Sequence, residues 1–141
     1  MQRWVLIIML LLAGCADMQI PPTPADLQAK RFEAVPDKSV IYVVRDSPDF
    51  SSQASTLWLG ESVMITTYEG TYYRWEVAPG THQITGYGPD NGRFILTTEP
   101  GRIYFIQQRL QPFLRFPQSA FALVADPYGR AAVSRAVLVG Q

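Results

Sequence analysis

Apolar residues run without interruption from Trp4 to Leu12, stop close to a cysteine, and return as a continuous block only at Val40-Ile41-Tyr42-Val43-Val44. The two blocks have different meanings. The first spans nine residues, well short of the ~20 that a membrane-crossing helix needs. It follows Met1-Gln2-Arg3, a short basic start, so it reads as the apolar core of an export leader. The second is β-branched and aromatic throughout, as expected of a central strand buried on both faces. Between them, Ile20-Pro21-Pro22-Thr23-Pro24 should be stiff and extended. Thr23-Pro24-Ala25-Asp26 then carries the marks of a helix start: a hydroxyl cap, proline at the first helical position and an acid in the first turn. That spacing predicts a short helix over about Ala25–Phe32, ending before Pro36.

Beyond Pro36 the period is two. Ala54–Leu59 and Ser62–Thr67 flank Gly60 as a hairpin. Tyr72–Val77 alternates, with Tyr73, Trp75 and Val77 on one face and Tyr72, Arg74 and Glu76 on the other. Thr81–Tyr87, Phe94–Thr98 and Ile103–Gln108 continue the series. Glu69-Gly70, Pro79-Gly80, Asp90-Asn91-Gly92 and Pro100-Gly101 punctuate it, with proline presetting φ and glycine supplying φ > 0. Gln111–Ala120 reads as a loop with Pro112 and Pro117, and Phe121–Ala125 as another buried strand. Asp126-Pro127 resembles a helix start, while residues 130–139 fit helix or strand equally. Short strands about ten residues apart predict an all-β fold, a small antiparallel β-sandwich with a short N-terminal helix and room for a C-terminal one. The expected organisation is a leader at 1–14, a tether with its helix at 15–35 and the sandwich at 36–141.

The apolar leader ends in Leu12-Ala13-Gly14-Cys15. These four residues resemble the lipobox of bacterial lipoprotein precursors: a branched residue and two small ones for peptidase recognition, then the cysteine that accepts the lipid. Only a thiol forms the thioether to diacylglycerol. The resemblance implies cleavage before Cys15 and anchoring in a bilayer through two or three acyl chains. Each buried CH₂ contributes ~0.8 kcal/mol, so such an anchor is permanent. Ala16 stands where an aspartate would signal inner-membrane retention in enteric bacteria. The resemblance therefore favours the outer membrane, facing the periplasm.

Composition narrows the partners. Removing 14 residues from 141 leaves 127, enough for one core without metal or disulfide support. Arginine plus lysine equals aspartate plus glutamate at 12 each, and cleavage removes Arg3, leaving a net charge near −1. Nothing in that balance suits nucleic acid. Cys15 is the sole cysteine, so no internal disulfide forms.

Candidate chemistry is sparse. His82 is the single histidine and shares a strand face with Ile84, which points to packing. A zinc site needs further nitrogen or sulfur ligands, and no Gly-x-Ser-x-Gly elbow accompanies His82 for a Ser-His-Asp triad. No metal site or cofactor is expected. A carboxylate-dependent hydrolase would have to draw on Asp46, Asp49 and Glu69, brought to ~5–9 Å across a cleft. Elsewhere, Asp90 reads as a turn cap and Gly86-Tyr87-Gly88 leads into a turn rather than a phosphate-binding helix. Aromatic residues are the better sign of binding. Trp58, Tyr68 and Tyr72 are the candidate ligand-binding platform, Tyr72 because the alternation directs it outward; cross-strand packing accounts for aromatics as well.

Ala29-Lys30-Arg31-Phe32 and Lys38-Ser39-Val40-Ile41-Tyr42-Val43-Val44-Arg45, then Gly70-Thr71-Tyr72-Tyr73, Val77-Ala78-Pro79-Gly80-Thr81-His82 and Glu99-Pro100-Gly101-Arg102-Ile103-Tyr104-Phe105-Ile106, resemble a family of uncharacterised bacterial lipoprotein β-sandwich domains. The Pro-Gly-x-His turn is also similar to that of surface-layer-like sandwich modules. The likeness runs from about Ala29 to Ile106 and lies in strand and turn chemistry, so it implies a fold and no catalytic residue. The expected function is a membrane-anchored envelope lipoprotein, a non-catalytic module that binds an envelope protein or supports an assembly. A glycan-binding module and a hydrolase are the alternatives.

Overall fold

Five consecutive apolar residues, Val40 to Val44, leave a strand no polar face, and the fold covers both of its sides. In the computed structural model, which describes residues 21–140, all five are fully buried. The leader expected at residues 1–14 and the cleavage and lipidation site expected at Cys15 lie outside the described residues. The elements are α1 (Pro24–Ala29), β1 (Ser39–Arg45), β2 (Ser55–Leu59), β3 (Val63–Thr67), β4 (Thr71–Val77), β5 (Gly80–Gly86), β6 (Arg93–Thr98), β7 (Ile103–Gln111), β8 (Gln118–Val124), α2 (Asp126–Arg135) and β9 (Val137–Leu138). They build one sheet in the order β8-β7-β1-β4-β9 and a second in the order β3-β2-β5-β6.

The fold is mainly β, a sandwich of two sheets with a short helix near each end of the described chain, as the strand spacing predicts. One difference concerns strand direction. The four-stranded sheet is wholly antiparallel, whereas β1 runs parallel to β7 and β4 parallel to β9. After β1 the chain builds all four strands of the other sheet, together with β4, before β7 returns beside its starting strand. Residues 130–139 are helix followed by strand. The loop expected over Gln111–Ala120 shortens to 112–117, because β7 and β8 continue as a hairpin with Gln111 opposite Gln118.

Two cores result. Ile41, Val43, Trp75, Val77 and Ile106 meet Leu57, Leu59, Ile65, Ile84 and Leu96 between the sheets. On the outer face of the five-stranded sheet, Val40, Tyr42, Val44, Tyr72 and Phe105 pack under Ala29, Ala132, Val133 and Ala136 from the helical segments. Fully burying one such aliphatic side chain contributes ~1.5–3 kcal/mol. Helix α1 is thus part of the folded body. Thr23 caps it by accepting the Asp26 N–H at 3.1 Å. Asp26, 2% exposed, accepts bonds from Lys30 Nζ (2.9 Å), the Tyr72 hydroxyl (2.9 Å) and the Leu138 N–H (3.1 Å). Burial works to raise its pKa, but the bonds from Lys30, Tyr72 and Leu138 hold the carboxyl below its ordinary value. Burial and the bond to Asp26 push the Tyr72 hydroxyl up.

The turn chemistry holds as well. Gly80 and Gly101 carry φ of +144° and +71° after Pro79 and Pro100, and the Gly101 N–H donates to the Lys38 carbonyl at 2.8 Å. A Cβ at Gly101 would meet nothing nearer than the Pro36 carbonyl oxygen at 3.6 Å, so backbone strain alone decides the cost of a side chain there. Gly101→Val should lose about 1–2 kcal/mol. Urea unfolding checks this, with the transition midpoint falling and its slope unchanged.

Candidate functional site

Arg45 closes β1 and is the largest fully buried side chain among the described residues. A buried guanidinium needs partners for its N–H groups. Here Nε donates to Asp49 Oδ2 at 2.7 Å, and Nη1 donates to the carbonyls of Gln53 (2.7 Å) and Thr67 (3.3 Å). Nη2 donates to the Ser51 carbonyl. Asp49, its side chain 2% exposed, also accepts the Leu110 and Phe50 N–H groups. The pair folds the 46–54 loop back over the end of the sandwich.

A second polar network begins at Thr67 and crosses between the sheets. Thr67 Oγ1 donates to Gln108 Oε1 at 2.8 Å, and Gln108 Nε2 donates to Ser55 Oγ (2.9 Å) and Ser119 Oγ (2.8 Å). Ser119 Oγ and N–H donate to Asp90 Oδ2 (2.6 Å) and Oδ1 (2.9 Å), and the Gly92 N–H reaches Oδ1 at 2.8 Å. No buried side-chain nitrogen or oxygen among the described residues lacks a partner. Over this floor opens a cavity of about 270 Å³, with Ser55 and Asp90 below, Gln53 and Leu110 at the side, and Tyr87 and Phe116 on the rim. A wider apolar recess of about 590 Å³ adjoins it across Pro89 and Phe116, lined by Phe113 and Leu114.

The sequence expectations land unevenly on this end. Asp46, Asp49 and Glu69 do come together, but each is engaged. Asp46 accepts Arg135 Nη2 at 2.6 Å, Asp49 holds Arg45, and Glu69 accepts the Ser47 hydroxyl at 2.7 Å and the Asp49 N–H at 3.3 Å. With these partners the carboxylates shape a loop. The platform of Trp58, Tyr68 and Tyr72 does not form. Tyr72 is fully buried, since the face it occupies is covered by α1 and bonded to Asp26 rather than open to water. Trp58 is half-buried and meets the Tyr87 ring edge-on at 6.4 Å, while Tyr68 is exposed in the β3–β4 turn. His82 packs against Trp75 at 5.3 Å between ring centroids, with Nε2 2.8 Å from the Ala78 carbonyl oxygen. Among the described residues no three potential metal ligands converge.

The buried polar network was readable in one respect. Ser55 shares its strand parity with Leu57 and Leu59, Thr67 with Ile65, and Gln108 with Ile106 and Leu110. Polar residues repeated at inward positions near one end of each strand mark a polar floor. Comparisons of the chain with protein-family models, curated proteins and solved structures give no match.

Proposed function

We propose that this chain is an envelope lipoprotein, fixed to a membrane by acyl chains on Cys15, whose sandwich is a non-catalytic binding or structural module. The observation that carries the reading is the order of the first fifteen residues: a basic start, nine apolar residues ending at Leu12, then Ala13-Gly14 before the one cysteine of the chain. Two features of the folded part support it. The carboxylates expected of a hydrolase are engaged in loop-building bonds, and the open cavity offers aromatic and apolar walls over a satisfied polar floor. Ala16 after the cysteine supports the outer membrane, facing the periplasm. The resemblance to uncharacterised lipoprotein sandwich domains belongs to the same proposal. A second reading, a glycan-binding module, draws on the Trp58–Tyr87 pair, because a half-exposed aromatic corner suits the apolar face of a sugar.

The anchor is tested by substitution. Cys15→Ser should abolish incorporation of labelled palmitate and leave an uncleaved or soluble product, since a hydroxyl does not replace the thioether acceptor. A variant that still takes up label and fractionates with membranes would sink the reading.

A further inference from the structure

We infer that the end of the sandwich bearing the 46–54, 68–70, 87–92 and 112–117 loops rests in the interfacial layer of the bilayer that carries the lipid; the inference builds on the anchored reading above. The strand register places these loops together. β1 ends at Arg45, where β4 begins at Thr71 and the parallel β7 continues past Gln107 into the β7–β8 hairpin. In the other sheet, Ser55 at the start of β2 lies opposite Thr67 at the end of β3, and Leu57 lies opposite Gly86.

Exposed apolar side chains gather at that end. Phe50, Tyr68, Tyr87, Phe113, Leu114 and Phe116 are each at least 49% exposed, and Leu114 at the hairpin tip is 94% exposed. At the opposite end the 60–62, 78–79 and 99–102 turns expose no large apolar side chain among the described residues. The other exposed large apolar residues, Leu27, Met64, Ile95, Leu123, Tyr128 and Val137, are spread one to an element, which is ordinary; six in adjoining loops mark contact with something apolar. The charges there suit lipid phosphates. From Gly101 to Ala125 the chain has no acidic residue, and Arg109 and Arg115 have no carboxylate partner among the described residues. Of the carboxylates at the same end, Asp46 and Asp49 are paired with Arg135 and Arg45, Asp90 is buried on Ser119 and the Gly92 N–H, and Glu69 holds Ser47 and the Asp49 N–H. Arg115 stands between Leu114 and Phe116, an order that lets a cation reach headgroups while its neighbours enter the acyl boundary.

The position of the tether makes the occupant a bilayer. Helix α1 packs at the β4–β9 edge, where Asp26 bonds Leu138 and Tyr72 one position in from this end and Ala25 and Gln28 share a recess with Arg74 and Glu76, so the chain enters the fold at that edge. Five residues separate Cys15 from Pro21, and the six steps between them reach at most ~22 Å at ~3.3–3.6 Å per residue. Tether and hairpin tip lie on opposite edges of the five-stranded sheet, about 19 Å apart at ~4.8 Å per strand. A body held that closely presents its apolar loops to the surface that holds it, in a two-point contact.

Cys15 is the only native thiol and is consumed by lipid, so one added cysteine carries a spin label uniquely. The full-length acylated protein, with Leu114→Cys, Phe50→Cys or Glu61→Cys, is reconstituted in vesicles of phosphatidylethanolamine and phosphatidylglycerol. Mass analysis of the N-terminal peptide first establishes the acyl chains. Labels at 114 and 50 should then show several-fold higher accessibility to oxygen, relative to a water-soluble nickel chelate, than the label at 61. Lack of acyl chains on Cys15 would remove the anchored reading and this inference together. Acylated protein whose label at 114 is as aqueous as that at 61 overturns the inference alone. Labels aqueous in vesicles yet shielded in native envelopes overturn it in favour of a protein partner.

Discussion

Arg45→Met should destabilise the fold by about 3–5 kcal/mol, because it leaves the Asp49 carboxylate buried without its cation. The size follows from the surroundings. Both side chains of the pair are essentially inaccessible, at 0% and 2% exposure, so water cannot take over the solvation of the survivor. The N–H groups of Leu110 and Phe50 still reach Asp49, but amides offset only part of a missing guanidinium. The carbonyls of Ser51, Gln53 and Thr67 lose their donor at the same time. Such a loss is a large part of the roughly 6–18 kcal/mol expected of a 120-residue fold. Urea unfolding of the single variant and of Arg45→Met, Asp49→Leu separates the causes. If the uncompensated charge dominates, removing both partners recovers much of the stability. A double variant as weak as the single one would show that the loop carbonyls carry the effect.

Gly129→Ala should also destabilise, reversing the ordinary sign. In an open helix the exchange gains ~0.5–1 kcal/mol. In α2 the added Cβ would lie 2.1 Å from Phe105 Cγ and 2.3 Å from its Cβ. Phe105 has little freedom to yield, since its ring stacks on Tyr42 at 5.2 Å and meets Phe32 at 5.9 Å between centroids. Overpacking of this kind costs ~1–3 kcal/mol and occasionally more, enough to outweigh the gain in helix propensity. Thermal unfolding of Gly129→Ala, Phe105→Ala and the double variant tests the contact, since alanine at 105 removes Cγ, the nearest of the clashing atoms. The double variant should be more stable than the sum of the single losses predicts. Simple additivity would place the helix elsewhere.

The strands and turns were legible because each has a local chemical cause: the β-branched run at Val40–Val44, the Tyr72–Val77 alternation, the proline-glycine pairs at 79–80 and 100–101. Alternation sorts side chains into two faces without saying what covers each. That is why Tyr72, assigned to the open face, lies under α1. The parallel pairing of β1 with β7 has no local mark either, because the intervening chain builds the whole second sheet and β4 where a crossover helix is the familiar signal. Arg45 is a different case. A charge at the last position of an apolar strand reads as the edge of burial, and its partner four residues on reaches it only when the 46–54 loop folds back. Of the aromatic residues that do line the cavity, Tyr87 read as the last residue of a strand, and Phe116 sat in a segment that read only as loop.

The order in which the chain completes itself follows from the strand pairing. β1 must wait for β7 before its second edge is satisfied, since Val40 sits beside Ile103. Helix α1, with six residues, is far below the ~12–15 at which an isolated helix becomes even marginal in water. It acquires its place only when Leu138, 112 positions away, delivers an N–H to Asp26. Pairings of such sequence separation set refolding on the millisecond-to-second scale of all-β domains. A chain emerging N-terminus first would therefore hold Phe32, Tyr42 and Tyr72 uncovered until its final residues arrive. Over that interval the first helix is the last element to settle.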